Sequence, residues 1–295
     1  MPSLSGVPGI APGYPGAQTE CCRPFGTERT GKLFAIPHAR LATYLIAAAL
    51  IAGALLSISC GEDSPDTSAE AQEARPTAGR QVAMALEEPG GRTTHYLLYL
   101  PRDYRAGARR WPLLLYLHGA DVPGSGRGAL PRVRRQGIPK VVDRRPDFPF
   151  IAVSPQTSTR WAPARVKLLL DEVVRRYRVD RGRVYATGFS LGGYGVWDVA
   201  SAYPRRFAAV APIAGGPDLR RARCRLKTVP LWAFHGTADD VVPASESQAM
   251  VRRVRRCGGR ARLTLLRGAG HFIAERTYAK RSLYRWFAAH ARSER

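Results

Sequence analysis

Hydrophobic and polar positions change pattern several times along the chain. Residues 1 to about 31 are rich in Gly, Pro and Ser and have no apolar period, which predicts a disordered start. A continuous apolar run follows at 41–59, with Arg29, Lys32 and Arg40 ahead of it. Residues 61–79 mix Ser, Pro, Asp, Glu, Ala and Thr and read as a flexible tether. From Arg80 short apolar blocks take over. Residues 81–86 and 94–100 are strand-like, joined by the turn Glu87-Glu88-Pro89-Gly90-Gly91. Residues 113–117 and 150–154 are uninterrupted apolar runs, as expected of strands buried on both faces. Further strands are predicted at 184–187, 208–213, 231–235 and 262–266, and helices at 166–178, 191–202, 245–256 and 283–291. In the first of these helices Val166, Leu169, Leu170, Val173, Val174 and Tyr177 share one face. Between them, 119–149 reads as loop with a short helix around 128–133.

A hairpin followed by strands alternating with helices implies an α/β fold, a mostly parallel eight-stranded sheet flanked by helices. These elements fill residues 80–292 as one catalytic-sized domain and leave no room for a cap domain; the 119–149 loop is the one segment long enough to shape a pocket rim.

Charge adds little to this picture. The 295-residue chain carries a formal net charge of +23, and of its 46 basic residues only Lys32, Lys140, Lys167, Lys227 and Lys280 are lysine. The arginines are spread along the chain without a nucleic-acid-binding motif, so a compositional bias is expected, with a weak attraction to anionic envelope polymers or head groups second and no nucleic-acid partner. The five cysteines, Cys21, Cys22, Cys60, Cys224 and Cys257, show no C-x-x-C or Cys/His spacing, so no zinc site is expected.

The N-terminal run does change the picture. Residues 1–40 end in a basic n-region and 41–60 form an h-region. The stretch Leu55-Leu56-Ser57-Ile58-Ser59-Cys60-Gly61 resembles a lipobox with Cys60 as the lipidated cysteine, although Ser57 stands where leucine is usual. A transmembrane anchor and ordinary secretion are the alternatives, since the run is about long enough to span a bilayer of roughly 30 Å. Each reading puts the remainder outside the cytoplasm.

The candidate chemistry begins at Gly188-Phe189-Ser190-Leu191-Gly192, a G-x-S-x-G between a predicted strand and a predicted helix. That context raises a serine Oγ above a sheet on a tight turn. A serine hydroxyl needs a base and an acid behind it. His271, in Gly268-Ala269-Gly270-His271 after the last strand, is the base candidate; Asp239 and Asp240, after the strand at 231–235, are the acid candidates. All stand on loops at the carboxyl edge of the sheet, where open α/β folds bind ligands. The oxyanion hole is assigned to the backbone N–H groups of Leu191 and Ala120, with Gly119 next in line. His118 and His235 close apolar strands and are expected to be structural; His95 and His290 are expected at the surface, and Asp198 and Glu275 are read as ordinary acids. Trp161 is a candidate for the substrate pocket, against simple packing.

Together the segments His118-Gly119-Ala120, Val153-Ser154-Pro155-Gln156, Val184 to Asp198, Ala208 to Ile213, Trp232 to Pro243 and Gly270-His271 resemble the α/β-hydrolase superfamily. The likeness is to its phospholipase/carboxylesterase-like group, which holds dienelactone-hydrolase-like, polyhydroxybutyrate-depolymerase-like and feruloyl-esterase-like enzymes and exported predicted peptidases. The resemblance covers roughly residues 80–292. It implies an α/β-hydrolase fold, Ser190 as nucleophile, His271 as base and, from the H-G-x-x-D-x-x-V-P spacing, Asp239 rather than Asp240 as acid. It further implies an exported serine esterase for small-molecule or polymer esters, tethered to the membrane by lipid or N-terminal helix, with no metal or cofactor. A peptidase or thioesterase on the same scaffold is the alternative, and a non-catalytic binding lipoprotein the least favoured one. Relatives often carry Gly-Glu-Arg-Gly after the His-Gly turn; here Ala120 to Gly128 is longer and lacks that Glu, which leaves the rim and the substrate open. For an exported domain of this kind Cys224, before the strand at 231–235, and Cys257, at the end of the following helix, are expected to pair.

Overall fold

The computed structural model describes residues 76–216 and 224–292, all within the unit Pro65–Arg295. The expected disordered start, the apolar run, Cys60 and the tether up to residue 75 lie outside the described residues. Residues 78 and 79 already belong to the sheet: Ala78 bridges Leu100, and the Gly79 N–H donates to its carbonyl at 2.8 Å.

Eight strands form one sheet in the order β1-β2-β4-β3-β5-β6-β7-β8. The strands are β1 (Gln81–Glu88), β2 (Arg92–Tyr99), β3 (Trp111–Leu117), β4 (Ile151–Pro155), β5 (Val179–Phe189), β6 (Ala209–Ile213), β7 (Leu231–Gly236) and β8 (Ala261–Leu266). β2 pairs antiparallel with β1 and β4, and the remaining pairs are parallel. This is the mostly parallel sheet that the hairpin-then-alternation pattern predicts, in the arrangement that the α/β-hydrolase resemblance implies.

The apolar blocks are uninterrupted because each strand feeds two cores. In β3, Leu113, Leu115 and Leu117 point to one face while Leu114 and Tyr116 point to the other. The first face packs against α3 (Pro163–Arg176), α4 (Leu191–Ala202) and α5 (Ala244–Arg256) through Val166, Leu169, Val196, Met250 and Val254. The opposite face packs against α2 (Gly137–Arg144), α6 (Ala274–Tyr278) and α7 (Arg281–Ala288) through Ile138, Val142, Tyr278, Tyr284 and Phe287. Fully burying such side chains contributes about 1.5–3 kcal/mol each before the entropy cost of ordering them.

Several expectations need correction. The 119–149 segment holds two helices, α1 (Leu130–Arg134) and α2, not one. β5 starts at Val179, five residues early, because Val179 pairs with Trp111 ahead of a register shift in the β3–β5 ladder. His95 is half-buried, its ring against Gly126, and His290 is half-buried with its Nδ1 2.7 Å from the Trp286 carbonyl; neither is a surface residue. Glu275 is exposed and pairs with Lys140.

Candidate active site

The parallel strands deliver their following loops to one edge, and there the structure brings Ser190, Asp239 and His271 together. Ser190 sits between β5 and α4 with φ 52° and ψ −116°, a backbone conformation that a non-glycine residue holds only under constraint. The constraint is visible on both sides. The Ser190 N–H donates to the Ile213 carbonyl at 3.0 Å, and its own carbonyl accepts the first helical bond from Tyr194 at 3.0 Å. The flanking glycines allow the close approach. A Cβ on Gly188 would lie 2.8 Å from the Leu117 carbonyl oxygen, and one on Gly192 would overlap that oxygen and lie 2.8 Å from the His118 carbonyl. G-x-S-x-G is therefore required by the packing of the turn against the end of β3.

The Ser190 hydroxyl is half-buried and lies 2.9 Å from His271 Nε2. His271 is 5% exposed, and its Nδ1 lies 2.9 Å from Asp239 Oδ2 and 3.0 Å from Oδ1. Donor accounting fixes the tautomer: a carboxylate only accepts, so Nδ1 carries the proton and Nε2 offers its lone pair to Ser190. The Asp239 side chain is fully buried. Burial alone pushes its carboxyl upward; donation from the Val242 N–H (2.8 Å), the His271 ring and the Val241 N–H (3.0 Å) outweighs burial and holds it below the usual carboxylate range. Asp240 is exposed. Of the two acid candidates, it is the favoured one, Asp239, that reaches the imidazole.

The loop after β3 lies against the nucleophile turn, with Gly119 packed on Phe189. His118 is 1% exposed. Its Nε2 accepts from the Thr157 N–H at 3.2 Å, so its Nδ1 is the donor to the Gly119 carbonyl at 2.7 Å. That carbonyl belongs to the peptide whose N–H is Ala120's, so His118 fixes the plane of that donor. Burial depresses the His118 pKa, which keeps the ring neutral in this role. Leu191 opens α4, where the first N–H groups have no partner within the helix. Trp161 is 6% exposed, donates Nε1–H to the His118 carbonyl at 3.1 Å and stacks edge-on against the His118 ring. It braces the loop after β3 from behind, and one edge lines a groove with Thr157 and Arg160.

One feature escaped the sequence reading. Phe272 is 80% exposed directly beside His271, its ring 5.5 Å from that of His271 and 6.2 Å from that of Phe189. Val241, on the acid loop, is 61% exposed. Of the few large apolar side chains that the described residues expose, Phe272 thus stands against His271 and Val241 belongs to the loop that holds Asp239. His235, at the end of β7, is buried as expected of a structural histidine; its Nε2 donates to the Val242 carbonyl at 2.8 Å and lies 3.2 Å from Asp239 Oδ2. Away from the site, Cys224 and Cys257 are joined by a disulfide with Cα atoms 5.5 Å apart, tying the segment before β7 to the end of α5.

Residues 150–293 match the dienelactone hydrolase family. The bifunctional acetylxylan esterase/xylanase XynS20E of Neocallimastix patriciarum is 28% identical over 174 residues, 57% of this chain and 24% of that protein. Poly(3-hydroxyalkanoate) depolymerase C of Paucimonas lemoignei is 42% identical over 52 residues, 18% of this chain and 13% of that protein. The chain thus spans about a quarter or less of these two relatives. Among solved structures, a thermostable esterase is similar with a TM-score of 0.61 and 27% identity, covering 72% of this chain and 63% of that one.

Proposed function

We propose that the chain, whose residues 150–293 match the dienelactone hydrolase family and which has an α/β-hydrolase fold, is a serine esterase acting on carboxylic esters through an acyl-enzyme. One observation carries the reading: the unbroken Ser190–His271–Asp239 hydrogen-bond line, each step at 2.9 Å. In the first half-reaction Ser190 Oγ attacks the ester carbonyl carbon while His271 Nε2 takes the hydroxyl proton. The carbonyl π pair moves to oxygen, and the Leu191 and Ala120 N–H groups stabilise that charge. The tetrahedral centre collapses as the C–O bond to the alcohol breaks, and His271 returns the proton to the leaving oxygen. Water then repeats the sequence on the acyl-serine, releasing the acid and restoring Ser190. Asp239 stays ionised throughout and balances the imidazolium.

The exposed faces of Phe272 and Val241 support a substrate with an apolar portion that covers this rim, since covering a phenyl ring gains roughly 1.5–3 kcal/mol. Export with lipid tethering at Cys60 belongs to the same reading; the Cys224–Cys257 bond supports it, because disulfides persist in oxidising compartments. Rates measured side by side on a p-nitrophenyl acyl ester, a peptide p-nitroanilide and an acyl thioester test the reaction class. Turnover of the ester at least about tenfold above the other two is expected, and preference for the anilide or the thioester overturns it. For the tether, Cys60→Ser is expected to move the chain from the membrane fraction to the soluble fraction; unchanged fractionation contradicts lipidation.

A further inference from the structure

The acid of the site faces two imidazoles, not one. His235 is fully buried at the end of β7. Its Nε2 lies 2.8 Å from the Val242 carbonyl and 3.2 Å from Asp239 Oδ2. Both of these atoms can only accept, so Nε2 must carry a proton. Its Nδ1 lies 2.8 Å from Ser247 Oγ, on the buried first turn of α5. Ser247 Oγ is also 3.0 Å from the Gly215 carbonyl. A hydroxyl has one proton to give, and two arrangements follow. Given to His235 Nδ1, it leaves the ring neutral. Given to Gly215, it requires Nδ1 to be protonated as well, which buries an imidazolium. The first leaves nothing unsatisfied, because the Gly215 carbonyl also accepts from Trp197 Nε1 at 3.1 Å. Ser247 therefore sets the tautomer of His235, and His235 presents Nε2–H to the acid loop.

The consequences converge on Asp239. Its Oδ1 is held by the Val241 and Val242 N–H groups, while the His235 Nε2–H donates to the Val242 carbonyl and lies 3.2 Å from Oδ2. The loop that grips one carboxylate oxygen is thus itself gripped by the group that touches the other. We propose that His235, set by Ser247, is a positioning residue that aims the Asp239 carboxylate at His271. It touches no reacting atom and acts only through Asp239. This inference rests on the serine-esterase reading above and extends its support from Ser190, His271 and Asp239 through the Val242 backbone to His235 and Ser247.

The full chain carrying His235→Leu, His235→Gln or Ser247→Ala is assayed on p-nitrophenyl acetate alongside the unsubstituted chain, with melting temperatures recorded. Removing the buried donor that holds the Val242 carbonyl and loosening the acid loop is expected to lower kcat of the His235→Leu chain by on the order of 10-fold, with KM within about twofold. His235→Gln, whose amide N–H can take the place of Nε2–H, is expected to recover most of that loss in kcat at a melting temperature no higher than that of His235→Leu. Ser247→Ala frees the ring to adopt the other tautomer and is expected to lower kcat by roughly 3–10-fold at unchanged KM. This last arm decides the matter if His235→Leu fails to fold. Undiminished kcat in His235→Leu or in Ser247→Ala overturns the proposal, as does a His235→Gln chain no faster than His235→Leu. An unsubstituted chain that turns over no ester overturns the esterase reading instead, so the two failures are distinguishable.

Discussion

Asp239→Asn exchanges one carboxylate oxygen for an NH2 group and leaves the shape almost unchanged. The carboxylate accepts from three groups: the Val241 N–H at 3.0 Å and the Val242 N–H at 2.8 Å on Oδ1, and His271 Nδ1 at 2.9 Å on Oδ2. Asparagine has one acceptor oxygen, and two short backbone donors hold it at the Oδ1 place. Its NH2 group then faces the His271 ring N–H. His271 relieves the clash by carrying its proton on Nε2, which removes the lone pair that Ser190 needs. The wrong tautomer costs about 10⁴-fold in kcat, or roughly 5 kcal/mol at 1.36 kcal/mol per decade. The assay is kcat on p-nitrophenyl acetate near pH 7.5, with far-UV circular dichroism to establish that the variant is folded. Asp240→Asn serves as the control, since Asp240 is exposed, and is expected within about twofold of the parent. A folded Asp239→Asn chain within about tenfold of the parent refutes the reasoning, and so does a large loss in Asp240→Asn.

Other outcomes follow from the same contacts. The Cys224–Cys257 bond closes a span of 33 residues, so Cys224→Ser with Cys257→Ser is expected to lose about 3–4 kcal/mol of unfolding free energy in urea, on the chain-entropy account. An unchanged urea midpoint counts against any stabilising role. Phe272→Ala is expected to raise KM for a long-chain p-nitrophenyl ester by roughly tenfold and to leave that for the acetate within about twofold; equal effects on both remove the apolar-rim reading. Acid stability reports on Glu88. Burial pushes its carboxyl up, and bonds from Arg165 (Nε at 2.9 Å) and Thr94 outweigh burial, so its folded pKa lies below the unfolded one. That contribution is therefore complete above about pH 5 and lost as pH falls through the folded value. Melting temperatures between pH 7 and pH 3 are expected to fall less steeply in Glu88→Gln than in the parent, and parallel curves contradict the linkage.

Much of the sheet was legible because β3, β4, β6 and β7 are buried on both faces and leave unbroken apolar blocks between polar loops. Ser190, Asp239 and His271 were legible for a related reason: each stands on the loop just after a strand, and in a parallel sheet the loops after strands share one edge. What did not show was local and short. α2 carries Gly137 and Pro139 in its first turn, and α6 is only five residues long, so neither gives a sustained helical period. The start of β5 includes Gly182 between two arginines and reads as a turn until its pairing partner, β3, is in place. His118 and His235 were readable as strand-end histidines, but which backbone atoms they hold depends on loops that return from elsewhere. The exposure of Phe272 had no signature at all, because an apolar residue beside a loop histidine reads as core.

The account turns on Ser190 being the nucleophile, and covalent labelling tests that most directly. The chain and its Ser190→Ala variant are treated with a fluorophosphonate, digested, and mapped by mass spectrometry. One adduct per chain, on the peptide containing Ser190 and absent from the variant, is the predicted result. An adduct on another residue, equal labelling of Ser190→Ala, or an unlabelled chain that still hydrolyses esters contradicts the account.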